Sequence, residues 1–257
     1  MNSDRFPISR RTLLATGAAT LGLAAAGLPR IARAGYSETA VADGGTLKGF
    51  AMLKGTPPKA DEVLITKDHG HCGEGVVIPD PVRLGADGRL GDAVIALKEV
   101  ASGKPWPAAL KAPEILQAKC RFDPFVQVAP KGSELTITNQ DPLLHNIHTY
   151  EIIGRARRTM FNIAQPQAGQ IDKHVLKMRR GHVVEIDCDA HNWMSAWIYT
   201  SEHPYVSAAD PEAGYAIEGI PPGTYEVTAW HPALGEVSKE VAIAPGKTVD
   251  LNIEFTA

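Results

Sequence analysis

Cys188, His191 and Met194 stand at three-residue steps in "CDAHNWM", at the end of an alternating apolar stretch. A thiol, an imidazole and a thioether on one short loop are metal donors, but three ligands do not close a tetrahedral site. A fourth has to come from another strand. Upstream, "NQDPLLHNIHTY" offers two imidazoles, His145 and His148, just after the alternating run Glu134–Thr138. A thiolate, two imidazoles and a weak thioether are the ligand set of a blue-copper electron-transfer site. Soft sulfur favours Cu(I) and imidazole suits both oxidation states, so a geometry between the two preferences keeps rearrangement small when an electron moves. Zinc fits less well, because Met is a poor zinc ligand and a catalytic zinc would want a third N or O donor. A binuclear copper site needs a second Cys on the loop. A multicopper site needs several His-x-His pairs, and only His69-Gly70-His71 has that spacing. One copper ion is therefore expected. The plain alternative is that Cys, His and Met simply pack in a core, where free Cys acts as a small hydrophobe.

The elements that would position these residues read as short strands broken by turns. "TLKGFAML" and "EVLIT" have β character on either side of "GTPPK", and an Asp-Gly turn precedes the apolar strand Ala93–Val100. Residues 102–120 read as irregular, with a short helical turn near "PEILQAK". "FVQV" and "ELTIT" alternate around Pro130-Lys131-Gly132, and "HVVEIDC" is a period-2 strand that delivers Cys188 at its end. From Tyr215 onward four alternating strands are separated by Pro221-Pro222-Gly223 and Pro245-Gly246. Helical periodicity is nearly absent, and 24 Gly with 19 Pro suit a turn-rich all-β chain.

The joint pattern "FDPFVQVAPKGSELTITNQDPLLHNIH" followed by "CDAHNWM" resembles the cupredoxins, amicyanin and plastocyanin above all. That resemblance covers roughly residues 88–200 and implies a Greek-key β-sandwich holding type 1 copper. It makes His145, rather than His148, the first ligand, with Cys188 and His191 completing the trigonal set and Met194 the weak axial donor. It gives Asn146 the role of an amide tying the two ligand loops together beside the thiolate, and it puts His191 at the solvent edge as the electron port. The tail motif "GYAIEGIPPGTYEVTAWHPAL" resembles the carboxypeptidase regulatory-like (transthyretin-like) β-sandwich, a structural or adhesive module with no peptidase activity implied. "TLKGFAMLKGTPP" resembles the first strand of such a module, so the copper domain could be inserted into it. Proteins combining these parts are sometimes labelled methylamine-utilisation or plastocyanin-like, which implies a redox setting.

Four segments are expected: a signal at 1–34, a β segment at 35–87 that can pack with the tail, a copper domain at 88–203 and the tail module at 204–257. "SRRTLLATGAATLGLAAAGLP" followed by "ARA" has the order of an export signal, and Arg10-Arg11 gives it a twin-arginine look. The expected address is the periplasm. Losing residues 1–34 would remove five Arg and one Asp and leave a net charge of −7, which argues against a nucleic-acid partner. No apolar run of membrane-spanning length follows the signal.

Cys72 and Cys120 most simply pair as a disulfide in an oxidising compartment, the alternatives being free thiols or a second metal site built on His69, His71 and Cys72. His148, His203 and His231 each adjoin an aromatic or Pro residue, as half-buried structural histidines do; the sharper reading makes them auxiliary ligands or tuning groups. Between Gly154 and His182 seven basic residues face one acid, Asp172, which reads as a solvated strand-and-loop face or, more sharply, as a patch that steers an acidic redox partner; the partner expected is a redox protein, a cytochrome c or an oxidoreductase. Trp193 and Trp197 read as core, with Trp193 the better candidate for an exposed docking contact. The leading expectation is an exported single-electron carrier rather than an enzyme. A copper carrier or sensor, or a non-catalytic subunit or adhesive module of a larger oxidoreductase, is the alternative.

Overall fold

The computed structural model describes residues 35–257; the expected export signal lies outside them. The described chain is all-β, interrupted by two four-residue α-helices, His69–Cys72 and Ala108–Lys111, and a 3-10 turn. None of its helices is long and apolar enough to cross a membrane.

Two sandwiches share this chain. In the first, a five-stranded sheet runs in the order Val126–Pro130, Ser195–Ser201, Val183–Asp187, His145–Ile153, Ala156–Gln165. A four-stranded sheet, in the order Ile171–Val175, Glu134–Asn139, Glu114–Ala118, Arg121–Asp123, covers it. Alternate residues point inward from both: Ile115, Leu135 and Ile137 from one, Ile147, Val184, Ile186, Ala196 and Ile198 from the other, in one core. "PEILQAK" is a strand here, not a helical turn. Its alternation buries Ile115 completely and Glu114–Gln117 pair in parallel with Thr136–Asn139. A short helix does occur nearby, one turn earlier, at Ala108–Lys111.

The second sandwich draws strands from both ends of the chain. Val206–Ala208, Val94–Leu97, Gly223–His231 and Gly235–Ile243 form one sheet, and Tyr215–Ile220, Gly45–Gly49 and Thr248–Asp250 form another. Ala51–Lys54 and Ile253–Thr256 pair beside them. Leu47, Ile95, Leu97, Ile217, Val227, Ile243 and Phe255 belong to one shared core. Val94–Leu97 was expected within the 88–203 segment, yet it hydrogen-bonds between Val206–Ala208 and Val227–Trp230 of the tail. Its four residues are all buried because both faces are covered. Ile95 and Leu97 enter the second core, while Val94 and Ala96 pack with Val126, Val128, Val183 and Tyr199 at the seam between the sandwiches.

A strap crosses the first sandwich. It runs from Val63–Leu64 through the helix His69–Cys72 to Val76–Val77, and the two strand pieces pair antiparallel. Ile65 and Val77 are buried in the first core, and a Cys72–Cys120 disulfide fastens the strap to it.

Candidate metal centre

The ligand loop is shaped by two successive tight turns. The His191 N–H donates to the Cys188 carbonyl at 3.2 Å, and the Met194 N–H donates to the His191 carbonyl at 2.9 Å. Cys-x-x-His-x-x-Met thus carries one donor-bearing residue per turn. The facing turn is organised by Asn139. Its Oδ1 accepts the Asp141 N–H at 2.9 Å, and its Nδ2 donates to the Leu143 and Gln165 carbonyls at 2.9 and 2.8 Å. That internal Asx turn ends the strand Glu134–Asn139 and starts the next at His145.

Asn146 joins the two loops. Its Oδ1 accepts the Ala190 N–H at 3.0 Å, its Nδ2 donates to Asp189 at 3.0 Å, and its own N–H points at Cys188 Sγ at 3.5 Å. The Asn146 amide thus bridges the segment that carries His145 and the loop that carries Cys188 and His191.

His145, Cys188 and His191 come together in the interior, all three at 1% exposure or less. His145 Nδ1 lies 2.9 Å from His191 Nδ1, and Cys188 Sγ lies 3.8 Å from the latter. Two nitrogens bound to one ion at about 2.0 Å can be no more than about 4 Å apart, so the spacing suits a common ion. The far side of each ring meets a carboxylate: His145 Nε2 with Asp141 Oδ2 at 2.8 Å, His191 Nε2 with Asp68 Oδ2 at 2.9 Å. A carboxylate only accepts, so each Nε2 carries the hydrogen and the neutral ring's lone pair falls on Nδ1. Two lone pairs then face one another at 2.9 Å beside a thiol, an arrangement that a shared cation relieves. Met194, 2% exposed, is buried in the same core cluster as Cys188. The residues present fit a soft-to-borderline ion such as copper.

Burial and hydrogen bonding set the charge state of the same donors. Burial pushes the His145 pKa down, with Asp141 pulling the other way, so the ring is neutral and able to ligate. Burial pushes the Cys188 thiol up, while the N–H groups of Asn146, His191 and Ala190 oppose it. Burial also acts to raise Asp141. The Cys120 N–H, His71, His145 and the Lys119 N–H together outweigh that and hold it at about 2. Asp141 is therefore a fixed anion, bridging His145 to His71, whose Nε2 lies 2.8 Å from the other carboxylate oxygen.

Several expectations change. His191 does not lie at a solvent edge: Asp68 and the strap cover it, because the disulfide and the buried Ile65 and Val77 hold the strap in place. Trp193 is buried too, its ring 5.0 Å from that of His191, and presents no exposed docking contact. His71, Cys120 and Asp141 also cluster, but Cys120 and Cys72 spend their sulfurs on each other and His69 lies exposed. The second metal site sketched on His69, His71 and Cys72 thus loses its thiolate. His148 stays outside the donor cluster; it stacks on Tyr150 at 4.2 Å and meets Asp189 at 3.1 Å. His203 sits among Tyr36, Tyr205 and Ser201, and His231 accepts the Ala233 N–H at 3.1 Å, so neither has a donor-cluster neighbour. The basic stretch is partly neutralised. Arg157 pairs with Glu185 and Asp187, and Arg158 with the fully buried Glu151. The Asp68 contact has no local sequence signal beyond its place just before His69-Gly70-His71-Cys72.

No protein-family profile and no curated protein matches the chain. Among solved structures, similarity is found to a purple cupredoxin from Nitrosopumilus maritimus, 22% identical over 35% of this chain and 99% of that one, with a TM-score of 0.29. Amicyanin from Paracoccus versutus is 13% identical over 42% of this chain and 97% of that one, TM-score 0.28. A copper-containing nitrite reductase from Thermus scotoductus SA-01 is 15% identical over 42% of this chain and only 25% of that one, TM-score 0.29. At such scores nothing about this chain's site rests on these likenesses.

Proposed function

We propose that this chain is an exported, mononuclear type 1 copper protein of cupredoxin type that carries single electrons between redox proteins. One observation carries the reading: two carboxylate-backed imidazoles, His145 from a strand start and His191 from the loop of three-residue turns, bring their Nδ1 atoms together beside a buried thiol. Bound copper would supply a one-electron Cu(II)/Cu(I) couple. The chain's part is to hold His145, Cys188 and His191 in place whichever oxidation state is present, with Met194 as the weak fourth donor. Burial excludes water, and the fixed imidazole backs leave little to rearrange when the charge changes.

The disulfide supports export to an oxidising compartment, in keeping with the periplasmic address read from residues 1–34. Residues 114–201, with the strap, form the copper domain, inserted in the module built by the strands on both sides of it. On this reading the chain is a carrier rather than an enzyme. Its partner is a soluble redox protein such as a cytochrome c.

The test is the visible spectrum of the copper-loaded protein beside that of Cys188→Ala. An intense thiolate-to-Cu(II) band present in the parent and gone in the variant is expected. Absence of the band in the parent would overturn the assignment, and a colourless protein that exchanges Cu(I) freely would point to a copper carrier instead.

A further inference from the structure

We infer that Asp68 is a positioning residue of the metal centre, so that the strap is a working part of the copper site and biases it toward the oxidised ion. This rests on the copper reading above. Asp68 lies 123 positions before His191 in sequence, yet its Oδ2 is 2.9 Å from His191 Nε2. His191 makes two ring contacts that matter here, Asp68 behind it and the His145–Cys188 cluster in front. The carboxylate thereby decides which nitrogen carries the hydrogen and leaves Nδ1 as the donor.

The strap is built to deliver that contact. Asp68 adopts a left-handed backbone conformation, φ 54°, and its carbonyl accepts the His71 and Cys72 N–H groups at 2.9 Å each. Four residues on, Cys72 is bonded to Cys120. Cys120 and Lys119 in turn donate their N–H groups to Asp141, which holds the other imidazole. Both imidazoles are thus backed through one connected piece of structure, with the disulfide at its middle.

A carboxylate behind a ligating imidazole strengthens the nitrogen as a donor and adds negative charge near the ion. Both effects favour Cu(II) over Cu(I). With copper bound, the site would take one electron from a redox-protein donor, Cu(II) becoming Cu(I), while His145, Cys188 and His191 would stay in place. Removing the Asp68 charge should therefore raise the reduction potential.

Asp68→Asn keeps the size, tolerates the left-handed backbone and can still accept from Nε2, but it loses the charge. Asp68→Gly tolerates the backbone and loses the contact altogether. Cu(II) and Cu(I) affinities are measured for each full-length protein by competition with chelators specific for each ion. The expected result is a Cu(II) affinity lowered about tenfold more than the Cu(I) affinity in both variants, a potential rise of about 59 mV for a one-electron couple. Equal loss of both affinities, or no loss, with the thiolate band intact, overturns the role of Asp68 and leaves the copper reading standing. Absence of the band in the parent overturns both.

Discussion

Two pairs of histidines are buried in this molecule, and they are buried for different purposes. His145 and His191 lie in the first sandwich, at 0% and 1% exposure, each with a carboxylate on Nε2 and its Nδ1 turned toward the other and toward Cys188. His203 and His231 lie in the second sandwich, at 7% and 0% exposure, with no carboxylate on either ring. His231 accepts one backbone N–H and leaves Nε2 without a partner, and burial pushes its pKa down to about 4 against the pull of Asp92 and Asp80. Burial alone therefore does not mark a ligand. What separates the pairs is the anion behind the ring, which fixes the tautomer and leaves a lone pair aimed at a shared point.

The first pair also depends on a covalent staple that the second lacks. Cys72 and Cys120 are 48 residues apart, and closing that loop stabilises the fold by about 4 kcal/mol in the chain-entropy account. Replacing both with Ala is expected to lower the unfolding free energy by about that amount, measured by denaturant titration of the metal-free protein. The comparison predicts more than a stability change. The strap that brings Asp68 to His191 should also loosen, so copper binding weakens while the environment of His231 stays as it was. A double variant with unaltered copper affinity would show that the strap is only a buttress.

A ligand swap between the pairs is the next test in size. His145→Ala should cost copper affinity more than the loss of an outer partner does, at least about 100-fold. His203→Ala and His231→Asn should leave that affinity unchanged within about twofold, a difference too small to register as lost coordination. Competition titration with a chelator separates the outcomes. If His231→Asn weakened binding as His145→Ala does, the distinction drawn from the carboxylates would fail.

The clustering of Cys188 and His191 was legible in the sequence because soft and borderline donor types recur at a spacing of three, which two successive turns realise. The strands that carry them were legible where apolar residues alternate, as in "ELTITN" and "HVVEID". Legibility failed where the same physics takes another guise. Val94–Leu97 is apolar throughout, so its pattern could not say which core owns it; Ile95 and Leu97 enter the second core, and Val94 and Ala96 the seam. Glu114–Ala118 alternates over too few residues to be told from a helical turn. The long hairpin of His145–Ile153 and Ala156–Gln165 gave little signal, because the outer strand is largely exposed and mixes charged with apolar residues. Asp68 was hidden for a different reason. Its partner lies 123 residues away, and nothing local in "KDHGHCG" says which ring its carboxylate will meet.

The smallest effect concerns the unbacked pair and runs through pH. His231 is neutral when folded, with its pKa lowered to about 4 from the ordinary 6.5. Between those values the unfolded chain binds a proton that the folded chain refuses, so stability rises with pH and is lost as pH falls from about 6.5 toward 4. From pH 7 to pH 5 this one group should remove about 2 kcal/mol. In His231→Asn the amide oxygen can take over the Ala233 N–H, and no titrating group remains at the site. The variant will be less stable at pH 7, because a smaller side chain leaves space in the core. The quantity of interest is the slope: the gap between parent and variant should narrow steadily from pH 7 to pH 5 in denaturant titrations of the metal-free proteins. All other histidines are common to both and cancel in that difference. A gap that stays constant with pH would mean that the folded chain takes up the His231 proton as readily as the unfolded one, and burial would then not set its titration.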